Sequence, residues 1–263
     1  MPFEHLRVER RDDGVALLTL DNPAQRNAMS GPMTASWVAA IDDLRDDRSV
    51  RAVVVTGEGP AFCSGGDTSW IVSEPDATVD ALRTRMVAFY RAWLSIRSLE
   101  VPTIAAVNGA AIGAGLCLAL ACDIRYAARS ARLGAPFVRL GMHPGMAATW
   151  LLPEAVGLAA ARDLLLTGRT VDADEALRLG LVSRVVDDGS FRADVLGAAA
   201  AIAATAPIAS RLTKLALADG GHATYDAALQ WEAMAQPMTL ATKDLHEGIR
   251  AAREKRAPSF RGR

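Results

Sequence analysis

The chain has 263 residues, with 29 Lys+Arg against 30 Asp+Glu and a formal net charge of -1. That balance excludes a basic nucleic-acid binder whose affinity rests on neutralising phosphates. Apolar residues make up 51% and charged residues 22%, ordinary globular usage, and a chain of this size can bury roughly 70% of its extended surface in a core. In chain order, Leu6–Arg10 and Val15–Leu20 flank Asp12-Asp13-Gly14, which predicts a hairpin. After a loop over residues 21–27, Ser30 before Gly31-Pro32 marks a helix start, with Trp37, Ile41 and Leu44 at helical spacing. The β-branched run Ala52–Thr56 reads as a strand covered on both faces, leading into a loop over 57–67.

Leu82, Met86, Phe89, Trp93 and Ile96 form the apolar stripe of a core-packing helix. The pattern then repeats, with a strand at Thr103–Val107, a turn at Asn108-Gly109, a helix over 113–121 and a strand over 124–127. Alternation of this kind implies an α/β fold with crossover connections. Residues 101–122 carry no charge and match a bilayer in length, but Pro102, Asn108, Gly109, Gly113 and Gly115 break them into strand, turn and buried helix. No membrane segment is expected. From Ala147 onward the chain reads as almost wholly helical, interrupted at Gly157, Gly168, Gly180 and Pro207. A core over residues 1–205 and a helical region over 206–263 are expected.

Cys63, Cys117 and Cys122 are too few and too odd in number for a disulfide framework. With no secretory apolar run in the charged first eleven residues, a cytoplasmic location is expected. Several motifs fail on inspection. Gly113-Ala114-Gly115-Leu116-Cys117-Leu118 has leucine where a dinucleotide fingerprint needs its third glycine, and a phosphate-loop Gly-Lys-Ser/Thr is lacking. The four histidines never pair at zinc-ligand spacing, so no metal is expected. Ser64 lacks the glycine two positions earlier that a hydrolase elbow requires.

Two Gly-rich turns survive, residues 61–67 (AFCSGGD), uncharged up to Asp67, and 108–115 (NGAAIGAG), each at a strand end and before a helix. Such turns expose backbone N–H groups, and a helix N-terminus adds about half a positive charge facing a developing oxyanion. They serve either to stabilise an enolate or simply as tight packing turns.

At these residues the sequence resembles the crotonase, or enoyl-CoA hydratase/isomerase, superfamily. The resemblance runs from Asn22-Pro23 and Arg26-Asn27-Ala28-Met29, through both turns and Cys122-Asp123-Ile124, to residues 141–153, 165–168, 173–182 and 247–256. It implies a spiral of ββα units with a helical C-terminal trimerisation region, forming trimers or hexamers. The ligand it implies is a coenzyme A thioester, with no permanently bound cofactor. By the same resemblance the Ser64 and Ala114 N–H groups hold the thioester oxygen. Arg26, Ala28, Gly66 and Asp67 lie toward the adenine and ribose of coenzyme A, and Lys255 lies near its phosphates.

The family's hydratases add water with two glutamates. Here those positions hold Cys117 and Phe137, in the acyl pocket. Standard hydration therefore lacks its machinery, which leaves isomerisation, decarboxylation or silent acyl-CoA binding. Residues 144–149 (PGMAAT) are similar to those of some decarboxylating relatives. Decarboxylation needs an electron sink more than a base, and an apolar pocket suits it. His143 is the candidate substitute for proton transfer or orientation, against a structural hydrogen bond in its turn. Asp67 is a carboxylate in reach of the site or a helix cap.

Overall fold

The computed structural model describes residues 3–67, 69, 72–218, 221–222 and 224–263. Strands β1 (Leu6–Arg10) and β2 (Val15–Leu20) form the expected hairpin, paired antiparallel. Gly14 turns it with φ 82°, and the Val15 N–H donates to Asp13 Oδ1 at 3.2 Å. Helix α1 (Gly31–Asp46) starts where the sequence placed it: Ser30 Oγ accepts the Met33 N–H at 3.4 Å, and Pro32 occupies the first turn.

Three successive units follow, each giving one strand to each of two sheets and then a helix. They are β3 (Ala52–Gly57), β4 (Ala61–Cys63) and α2 (Val79–Leu94); β5 (Thr103–Val107), β6 (Ala110–Ile112) and α3 (Ala114–Ala121); then β7 (Ile124–Ala128), β8 (Arg132–Gly134) and, after a 3-10 turn at Pro136–Leu140, α4 (Ala148–Thr167). Strand β9 (Thr170–Asp172), α5 (Ala173–Arg178), β10 (Arg184–Val186) and α6 (Phe191–Ala203) complete the layered part. The six-stranded sheet runs β1-β2-β3-β5-β7-β10 and the four-stranded one β4-β6-β8-β9. Within them β2, β3, β5, β7 and β10 are mutually parallel, as are β4, β6 and β8. This is the spiral of ββα units that the resemblance implied.

The continuous apolar runs of β2, β3 and β5 follow from that layering. Leu18, Val53, Val55, Ala105 and Val107 face the main core with α1, α3 and α4. Their neighbours Leu17, Val54, Ile104 and Ala106 face a second core closed by Phe191 and Val195 of α6. A strand covered on both faces has no reason to alternate. Trp37 of α1 and Trp93 of α2 stack at 5.1 Å, and Trp93 Nε1–H donates to Thr34 Oγ1 at 3.0 Å. Ile96, just past α2, is also fully buried, whereas Leu82, Met86 and Phe89 of the stripe are only half-buried.

Two expectations need correction. The loop expected over 57–67 contains β4, and β6, β8, β9 and β10 were not foreseen, because three-residue strands are too short to show a period. The region after Ala147 is accordingly not wholly helical. Its breaks fall where expected: Gly157 interrupts α4 with φ 73°, Gly168 caps it in the left-handed region, and Pro207 opens α7 (Pro207–Leu217). Helices α8 (Tyr225–Leu240) and α9 (Lys243–Glu254) follow. Residues 101–122 form β5, β6 and the fully buried α3, and among the described residues no single helix is long and apolar enough to cross a membrane.

Candidate active site

The two Gly-rich turns meet because β4 and β6 pair in parallel, Ala61 against Ala110 and Cys63 against Ala111. The contact is close enough to require glycine. A Cβ on Gly115 would lie 2.1 Å from the Cys63 carbonyl oxygen, and one on Gly65, which has φ 99°, would lie 2.8 Å from Ile112 O and 3.2 Å from the Ala114 nitrogen. Residues 26–29 form the third wall. Met29 N–H donates to Gly65 O at 2.8 Å, and Met29 bridges Gly66 as a parallel neighbour.

This third wall changes one expectation. The Ser64 N–H is not open to a ligand; it donates to the Arg26 carbonyl at 3.0 Å. Among the described residues nothing accepts the N–H of Gly66, two positions on, or that of Ala114 at the first position of α3. Arg26 is exposed with φ 51°, and Ala28 is half-buried beside it. Asp67 Oδ1 accepts the Ser69 N–H at 2.9 Å and the Ser69 hydroxyl at 2.6 Å, the geometry of a capping side chain. The helix expected after Asp67 falls on segments outside the described residues.

Cys117 lies one turn beyond Ala114, fully buried, with its thiol donating to Gly145 O at 3.6 Å. Burial pushes that thiol up to about 12, so it stays protonated near neutrality and supplies no base. Phe137 is half-buried, its ring 3.8 Å from where a Gly113 Cβ would stand. It walls the second turn with carbon. His143 is exposed and its Nδ1 lies 2.8 Å from the carbonyl oxygen of its neighbour Pro144, a local turn contact. Lys255 ends α9 with φ 53°, and no hydrogen bond among the described residues ties it to the 26–29 or 64–67 segments.

One polar group went unnoticed in the sequence. Tyr90, on α2 between Phe89 and Trp93, brings its hydroxyl against Gly145, where a Cβ would lie 2.5 Å from the Oη. Two consecutive non-glycine residues beside it, Met146 (φ 50°) and Ala147 (φ 55°), adopt left-handed backbone before α4 begins, the kind of local strain that gathers at functional sites. Among the described residues no cluster of three or more His, Cys, Asp or Glu side chains is placed to hold a metal. A cavity of about 760 Å³ opens elsewhere, between Cys122–Arg125, α4 and α7, and none of the expected site residues borders it.

The family model described as enoyl-CoA hydratase/isomerase matches residues 10–263. The chain belongs to the enoyl-CoA hydratase/isomerase family. It is 38% identical over 261 residues to the "Probable enoyl-CoA hydratase echA8" of Mycobacterium bovis, covering 99% of each chain. It is 35% identical over 264 residues to the mitochondrial methylglutaconyl-CoA hydratase of Rattus norvegicus, covering 98% of this chain and 82% of the other. The crystal structure of an enoyl-CoA hydratase from Bacillus anthracis superposes with a TM-score of 0.93 at 32% identity, covering 99% of this chain and all of that one. As a member of the enoyl-CoA hydratase/isomerase family the protein is an acyl-CoA enzyme.

Proposed function

We propose that the protein holds the carbonyl oxygen of a coenzyme A thioester between the N–H groups of Gly66 and Ala114 and works through the resulting enolate, without the carboxylate pair of hydration. The observation that carries this reading is the seating of Gly65 against the Ala114 nitrogen, with both flanking N–H groups lacking an acceptor among the described residues. The positive end of α3 adds to the field there. Ser64, whose N–H is engaged by Arg26, then serves to fix the loop. Arg26, Ala28 and Asp67 border the pair and suit the adenine and ribose side of coenzyme A, with Lys255 toward its phosphates. Cys117 and Phe137 give the acyl group an uncharged wall, which favours isomerisation or decarboxylation over addition of water. Three buried, unpaired thiols suit the reducing cytoplasm.

Titration calorimetry with butyryl-CoA is expected to show saturable binding, while crotonyl-CoA loses its conjugated-thioester absorbance no faster than in buffer. Absence of butyryl-CoA binding would overturn the reading; rapid loss of crotonyl-CoA absorbance would overturn its exclusion of hydration. Binding without turnover in hydration, isomerisation and decarboxylation assays would mark a silent acyl-CoA binder.

The helical region after residue 206 supports self-association. Neither α7 nor α8 buries a single residue fully, and Leu217, Leu229, Met234, Met238 and Leu240 lie exposed, more apolar surface than a lone subunit ordinarily leaves in water. A trimer, or a hexamer of two trimers, is the proposed assembly. Sedimentation of the full chain is expected to give a multiple of three subunits, and a monomer at micromolar concentration would refute it.

A further inference from the structure

We propose that the Tyr90 hydroxyl is the acid that delivers a proton to the α-carbon of the thioester enolate. This rests on the oxyanion site at Gly66 and Ala114 and names the proton donor which that reading lacks. The geometry comes from three separate elements. Tyr90, half-buried on α2, places its Oη over Gly145, where even a methyl group would come within 2.5 Å. The Gly145 carbonyl accepts the Cys117 thiol at 3.6 Å, and Cys117 stands one helical turn from Ala114, on the same face of α3. The phenol thus reaches the neighbourhood of the position where a family hydratase carries a glutamate.

The other candidates fail as donors on their own contacts. Cys117 is fully buried with its proton directed at Gly145 O, Phe137 has no exchangeable proton, His143 is exposed and turned to its own neighbour, and Asp67 is held by Ser69. Burial raises the Tyr90 phenol above its ordinary value, the adjacent Cys117 adds to that, and the Met146 N–H offsets part of it. A phenol so placed is protonated at neutral pH, the form an acid needs.

The step balances without a co-reactant. The Tyr90 O–H bond breaks and the π pair of the enolate takes the proton to form a Cα–H bond. The thioester carbonyl re-forms, and the phenolate recovers a proton from water. Where the enolate arises by decarboxylation, the Cα–carboxylate bond supplies that electron pair and carbon dioxide leaves.

Run in reverse, the phenolate left by the forward step takes an α-hydrogen back as its O–H proton, so the same transfer exchanges the α-hydrogens of a saturated acyl-CoA with solvent through the minor phenolate form. Proton NMR of butyryl-CoA in D2O is expected to show exchange with the wild-type protein that slows by about 10²-fold or more in Tyr90→Phe. Calorimetric affinity for butyryl-CoA should change less than about threefold, because the lost group acts on the transfer and not on the ground-state complex. Gly145→Ala provides a second variant that keeps the phenol but displaces it, since its new Cβ occupies the hydroxyl's place; the same slowing is expected. Wild-type exchange rates in both variants would overturn the assignment of Tyr90 and leave the oxyanion site standing. Binding of butyryl-CoA with no exchange even in the wild type would overturn Tyr90 as donor, whereas absence of binding would overturn the oxyanion reading itself.

Discussion

Gly115→Ala is expected to lower α-hydrogen exchange of butyryl-CoA by about 10² to 10³-fold, the usual effect of losing one oxyanion donor. The new Cβ would stand 2.1 Å from Cys63 O, 2.8 Å from the Cys63 carbonyl carbon and 2.9 Å from its Cβ. All three atoms belong to a buried strand end, so no flexible side chain is available to swing away. The first turn of α3 must retreat from β4, carrying the Ala114 N–H with it, and a displacement near 1 Å is enough to disable a positioned group. Overpacking of this kind also lowers stability by about 1–3 kcal/mol. Gly31→Ala is the matched control, because a Cβ there meets nothing within 4 Å. Exchange by Gly115→Ala within threefold of the wild type would show that α3 does not supply the donor.

The largest stability effect is expected at Asn27. This side chain is fully buried in a left-handed residue with φ 56°, a conformation asparagine tolerates better than most residues. Its amide N–H groups reach Ala61 O at 2.8 Å, Glu58 O at 2.9 Å and Phe62 O at 3.3 Å, and its Oδ1 accepts the Asn22 N–H at 2.9 Å. The Asn27 carbonyl also accepts the Cys63 thiol at 3.1 Å. One amide therefore fastens the opening loop to both ends of the β3–β4 connection. Asn27→Ala leaves several of those backbone groups without partners, each worth about 1–3 kcal/mol when buried. A loss of about 3 kcal/mol or more is expected in denaturant unfolding. Asn27→Asp should do no better, because it presents an acceptor to carbonyls that need donors. Because residues 26–29 form one wall of the site, binding of butyryl-CoA should weaken together with stability. A loss below about 1 kcal/mol would mean that solvent replaces these contacts at little cost.

These two positions show where reading the chain succeeds and where it stops. The hairpin, the Ser30 cap, the β3 and β5 runs and the breaks at Gly157, Gly168 and Pro207 are written locally, in residue types that restrict φ, supply a capping oxygen or demand burial. The two Gly-rich turns are equally legible, as are the uncharged residues Cys117 and Phe137 near the second of them. Strands β4, β6, β8, β9 and β10 are not, because three residues form a strand only when a neighbouring edge offers hydrogen bonds.

The amino-acid sequence by itself determined the layered α/β plan and the two Gly-rich turns, with Asp67 the one carboxylate between them. Tertiary structure alone decided which amides remain open. Ser64 and Gly66 look alike as donors along the chain, yet the Arg26 carbonyl takes the first and leaves the second. It also decided that Tyr90, one polar tip in an apolar helix, meets Gly145 beside Cys117. The physical reason is common to both: whether a donor is engaged or available depends on an acceptor brought from a distant segment, and residue type carries no record of that partner.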